Sequence, residues 1–174
     1  MRIYEGSPRQ DWEEVLRSIG AFADRERIKE LLLLELDAGF IIQGLALPRD
    51  SAWTESEGML TKTTHELPDD EIGKMIDAAE AKRTEGPAGT PHAEIANYYE
   101  QAMRVIGAYL DIQKPRDVFL FEQDGSYVLR LLQVDQAGSR HHLVEFTRDD
   151  IGQMAAQGPT LRVPVDPKTG KALA

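Results

Sequence analysis

At 174 residues the chain has room for one domain or two small ones, and an apolar fraction of 41% is enough to build a core. It contains no cysteine, which excludes disulfides, thiolate catalysis and cysteine-ligated zinc. A formal net charge of −10 repels phosphate backbones and anionic lipid, so neither nucleic acid nor a membrane is an expected partner.

No apolar run approaches the ~20 residues that a membrane span needs. The first residues, Met1 to Gly6, lack an apolar stretch of signal-peptide type, so a cytoplasmic location is the expectation.

The first predicted element is a helix. Trp12, Val15, Leu16, Ile19, Phe22 and Ala23 form one apolar stripe, and Ser7-Pro8 supplies an opening cap. Glu13, Arg17, Ala21 and Asp24 share a second stripe that reads as a solvated ion-pair face. Gly20 costs a helix interior ~1 kcal/mol relative to alanine. Its presence points to close approach of another backbone.

Strands at Leu31–Leu36 and Phe40–Leu45 follow, around Asp37-Ala38-Gly39. A third strand is expected near Gly58–Leu67, and then a helix carrying Ile72, Met75, Ile76 and Ala79 on its apolar side. Thr84–Gly89 reads as a linker.

The same order then recurs. Tyr99, Ala102, Met103, Ile106, Tyr109 and Leu110 form a helical stripe, opened by Thr90-Pro91 and stopped by Lys114-Pro115. Val118–Gln123 and Tyr127–Leu132 flank Asp124-Gly125-Ser126. A two-residue turn there would set Arg130 opposite Phe119. A three-residue loop would set Gln123 opposite Tyr127 and is the expected register, since it keeps the charge off the apolar face. A strand at Arg140–Phe146 and a short helix after the capping-box sequence Thr147-Arg148-Asp149-Asp150 complete the unit. Gly158–Ala174, rich in proline, reads as an extended or disordered tail.

The recurrence has a fixed register. With a shift of 87 residues, identities fall at Glu13/Glu100, Arg17/Arg104, Ile19/Ile106, Gly20/Gly107, Ala21/Ala108, Asp24/Asp111, Leu33/Leu120, Glu35/Glu122, Asp37/Asp124 and Leu45/Leu132. A later block matches Glu66/Glu145, Asp70/Asp149, Ile72/Ile151, Gly73/Gly152 and Met75/Met154 at a shift of 79. Helical patterning alone would not align glycines and carboxylates in this way. The expected fold is therefore α+β, an internal duplication of an α-β-β-β-α unit. Each unit is an antiparallel three-stranded meander with helices on one face. The expected divisions are residues 1–85, 90–158 and a tail over 159–174.

In the expected register, Leu32, Leu34, Leu36, Phe40 and Ile42 lie under the helices, with Phe119, Phe121, Tyr127, Leu129 and Leu131 beside them. The other face carries Leu31, Leu33, Ile41, Leu45, Val118, Leu120, Val128 and Leu132 among Glu35, Gln43, Glu122 and Arg130. That face is too apolar to stand in water, and the other half of the chain, a second subunit or a partner is expected to cover it. Leu33, Leu120, Glu35, Gln43, Glu122 and Arg130 are thus candidate binding residues. Trp53, in the longer connection Pro48–Thr61 of the first half, is a candidate anchor.

Glu35 and Glu122 could meet at a twofold axis, raising a pKa or holding a cation, but a strand-end carboxylate satisfied locally by Arg130 or by water is the expected role. His141 and His142 are neighbours on a strand, point to opposite faces and cannot easily share a metal. Nucleotide loops and nucleophile elbows are missing from the sequence. No catalytic residue, metal or cofactor is assigned.

In element order and acidity the chain is loosely similar to the small dimeric chaperones of bacterial secretion systems, without a shared motif. The leading expectation is an adaptor that self-associates or docks a protein through its sheet face. The alternative is a small-molecule site or an active site between the two halves, built from Glu35, Glu122 and Arg130.

Overall fold

The computed structural model describes residues 11–46, 60–85 and 98–156. Four helices and six strands run in the order α1 (Trp12–Arg25), β1 (Ile28–Leu36), β2 (Gly39–Ala46), β3 (Thr61–Pro68), α2 (Asp69–Glu85), α3 (Tyr98–Gln113), β4 (Asp117–Gln123), β5 (Ser126–Asp135), β6 (Gly138–Phe146) and α4 (Arg148–Ala156). The fold is α+β, and the strands form one antiparallel sheet rather than two separate meanders. Its order is β3-β2-β1-β4-β5-β6. β1 and β4 join the halves, with Leu32 opposite Phe121, Leu33 opposite Leu120 and Leu34 opposite Phe119.

All four helices pack on one face of this sheet and share a single core with it. Trp12, Leu16 and Ile19 from α1 and Met103, Ile106 and Leu110 from α3 meet Leu33, Ile42, Leu120 and Leu129 there. Ile72 and Ile76 of α2 and Ile151 and Met154 of α4 close its two ends. The described helices include none long and apolar enough to cross a membrane.

The ends of the elements follow local chemistry. α1 begins at Trp12, where the Asp11 carboxylate accepts from the Glu14 amide; the proposed Ser7-Pro8 cap lies outside the described residues. Thr90-Pro91 and the loop with Trp53 lie outside them as well. α3 stops at Lys114, which takes a left-handed φ of +48° before Pro115. Arg27 does the same after α1, at φ +57°. The cap of α4 is reciprocal: the Asp150 amide donates to the Thr147 hydroxyl at 3.2 Å, and the Thr147 amide donates to the Asp150 carboxylate at 2.9 Å.

The hairpin register differs from the expected one. Gln123 pairs with Ser126, so the loop is the two residues Asp124 and Gly125. Both carry positive φ, +53° and +80°, as a primed hairpin turn demands. In the first half Leu36 pairs with Gly39, which leaves Asp37 and Ala38 as the loop. One residue fewer in each loop reverses the faces of β1 and β4. Leu31, Leu33, Val118 and Leu120 point into the core, while Leu32, Leu34, Leu36, Phe119 and Phe121 point away from the helices.

α1 and α3 cross at very close range. A Cβ on Gly20 would overlap the Tyr99 carbonyl, and one on Gly107 would overlap the Trp12 carbonyl. The two glycines let each helix start against the middle of the other. The stripe of Glu13, Arg17 and Asp24 therefore lines this seam and is not a solvated intrahelical face. Arg17 pairs with Glu100 at 2.9 Å and Arg104 with Glu13 at 3.2 Å. Gly20→Ala and Gly107→Ala, which helix propensity alone would favour, are each expected to lower unfolding free energy by about 1–3 kcal/mol through overpacking. Urea denaturation would measure this.

Candidate functional site

Three polar or apolar assemblies stand out, and the register decides what each can do. The first is at the helix seam. Asp24 accepts the Tyr99 and Glu100 amides at 3.0 and 2.9 Å, and Asp111 accepts the Trp12 and Glu13 amides at 2.7 and 3.1 Å. Each carboxylate thus satisfies the amides that the opposing helix leaves open at its first turn. Burial pushes both carboxyls up to about 6, although the amides pull the other way. These groups close a structural seam, and their bonding capacity is used within it. Next to it, a shallow groove lined by Glu14, Ser18, Ile76 and Ala79 contains Arg17, already paired with Glu100.

The second assembly surrounds Glu122. Its carboxylate accepts the Tyr99 hydroxyl at 2.9 Å, the Gly125 amide at 2.8 Å and the Leu31 amide at 3.3 Å. Tyr98 stacks on Tyr127 and donates to the Gly125 carbonyl at 3.3 Å. Burial and the adjacent carboxylate raise the Tyr99 phenol far above its ordinary value, so it stays a donor. Glu122 thereby ties α3, β1 and the β4–β5 turn together. Glu35 occupies the corresponding place in β1, opposite Phe40. The two glutamates do not meet: their places on the β1–β4 ribbon are four residues apart, about 13 Å along the strand.

Arg130 lies on the other face of the sheet. It stands opposite Phe119 with its guanidinium 5.4 Å from the ring centre, and Asp117 is 4.0 Å away. A charge opposite Phe119 is accommodated because that face is not the core. Glu35, Glu122 and Arg130 consequently do not converge. His141 and His142 do face opposite ways, opposite Leu132 and Leu131.

The third assembly is the outward face itself. Its centre is Leu32, Leu34 and Leu36 of β1, Ile41 and Leu45 of β2, Phe119 and Phe121 of β4, and Val128 and Leu132 of β5. Leu143 of β6 stands 71% exposed and Leu36 47% exposed. Gln43 sits within this surface, opposite Leu32 and Thr64, and Arg130 opposite Leu143. Leu33 and Leu120, expected here, are instead 1% and 0% exposed beneath α1 and α3. An apolar sheet face turned away from the described helices matches the expectation, but Leu34, Phe119 and Phe121 belong to it where Leu33, Leu120 and Val118 were expected. Asp124-Gly125, a two-residue turn signal, was the clue to their true side.

Comparison with protein families, curated proteins and solved structures finds no match to this chain.

Two outcomes follow from these geometries. Carboxyl NMR titration of Asp24 and Asp111 is expected to give midpoints near 6. A raised carboxyl pKa means the folded state holds more protons between about pH 4 and 6, so this contribution to stability is present below pH 4 and lost as pH rises through 6. Relative to an Asp24→Asn/Asp111→Asn variant, the wild type should therefore gain stability on acidification from pH 7 to 4, measured by thermal unfolding. Separately, Glu122→Ala strands the Leu31 and Gly125 amides and should cost about 2–3 kcal/mol in chemical denaturation.

Proposed function

We propose that this protein is a non-enzymatic adaptor whose outward sheet face docks a protein surface. The observation that carries the reading is the contiguous apolar centre of that face, Leu32, Leu34, Ile41, Phe119, Phe121 and Val128, on the side of the sheet opposite the four described helices. Antiparallel sheets tolerate water on one face when that face alternates to polar residues. Here the inner and outer rows of β1 and β4 are both apolar, which suits a surface that spends its working life covered. Phe119 and Phe121 are 6.1 Å apart edge to face, and Arg130 lies over Phe119. Aromatic residues and arginine of this kind are the usual anchors of protein interfaces.

We further read the two halves as copies of one α-β-β-β-α unit. The support is the reciprocity of the contacts at an 87-residue offset: Asp24 with the start of α3, Asp111 with the start of α1, and Leu33 opposite Leu120. On this reading the docking face is composite, with equal shares from β1 and β4.

A photo-crosslinking residue at Phe121 and a control at Gln153 of α4 separate this reading from its rivals. Crosslinks to protein are expected at Phe121 and not at Gln153. Equal yields at both positions, or none at Phe121, would contradict it.

A further inference from the structure

The docking face also carries information about its occupant, and this step rests on the adaptor reading above. Its charged residues are Lys29, Lys62 and Arg130 against Glu66, Asp117 and Glu145, which cancel. The chain as a whole carries −10. The excess negative charge therefore sits elsewhere, for example in the acidic first turns of α2 and α4. Two copies of this chain repel through most of their surface and least through this face.

We infer that the face pairs with a second copy of itself, sheet against sheet, with the helices of both copies outside. The residues complement one another under a twofold axis that lies between the sheets, parallel to β1 and β4. That axis sets β1 of one copy over β4 of the other, so Leu32 and Leu34 lie on Phe121 and Phe119 of the second copy. It also sets β3 over β6. Glu66, level with Leu34 and Phe119, then comes over Leu143 and beside Arg130 of the second copy, while Thr64 comes over Glu145 and Lys62 lies two residues, about 7 Å, further along.

The opposite charges Glu66 and Arg130 meet beside an apolar centre, as in a stable interface. The area is adequate. Six strands at ~4.8 Å by three residue pairs span roughly 29 Å by 20 Å, about 580 Å² in projection, which meets the lower end of the ~600–1,000 Å² per partner of a standard interface.

Light scattering coupled to size-exclusion chromatography on the full chain tests this. The wild type is expected to be a dimer at micromolar concentration. Phe121→Glu, whose side chain lies outside the core, should raise the dissociation constant about tenfold or more while circular dichroism stays unchanged. Glu66→Arg and Arg130→Glu should each weaken the dimer, and the two changes together should restore it. A monomeric wild type, or a double variant no better than the singles, would overturn the inference. Mass spectrometry of the Phe121 crosslink separates this failure from failure of the adaptor reading. A crosslink to Leu32, Phe121 or Phe119 of a second copy supports pairing, and one to a different protein overturns pairing but keeps the adaptor reading. One to the chain's own residues 157–174 overturns both.

Discussion

The antiparallel pairing of β1 with β4 is the constraint on which the rest depends. It sets Leu33 opposite Leu120 at the middle of the sheet and commits both to the core. Since side chains alternate along a strand, the same pairing commits Leu32, Leu34, Phe119 and Phe121 to the other face. Both sets cannot lie beneath the four described helices, which share one side of the sheet. An apolar core and an apolar outer surface are thus consequences of one register.

The helix seam enforces that register from above. Gly20 and Gly107 allow α1 and α3 to touch backbone to backbone, and Asp24 and Asp111 cap each other's helix. Two carboxylates held in a partly buried seam raise the cost of ionisation, which the four amide donors offset. Arg17–Glu100 and Arg104–Glu13 then fix the crossing. Glu122 completes the tie by bonding Tyr99 of α3 and the Leu31 amide of β1 at once. Helices, turn and central strands are in this way locked to one another by side chains from both halves of the chain.

Much of this was legible in the sequence, and the reason differs from element to element. The stripes of α1 and α3 have a helical period, the glycines at matching positions announced the close crossing, and Thr147 with Asp150 marked the start of α4. The faces of β1 and β4 were not legible from pattern, because Leu31–Leu34 and Val118–Phe121 are apolar at every position and carry no alternation. Loop length alone decided them. Avoiding Arg130 opposite Phe119 favoured the longer loop, whereas the guanidinium stacks on that ring outside the core. Glu13 and Arg17 have the spacing of an intrahelical pair, and only the crossing of α1 with α3 sends each to a partner on the other helix. For the candidate site, the existence of an apolar face turned away from the described helices was readable, and its membership followed the register.

The account is tested most directly by the relaxation of methyl groups in the presence of a soluble paramagnetic chelate, followed over a dilution series. Methyls of Leu34, Ile41, Val128 and Leu143 should relax strongly when the protein is dilute and become shielded as its concentration rises, while those of Leu33 and Leu120 stay shielded throughout. Strong relaxation of Leu33 and Leu120, or shielding of Leu34 and Val128 that does not change with concentration, would contradict it.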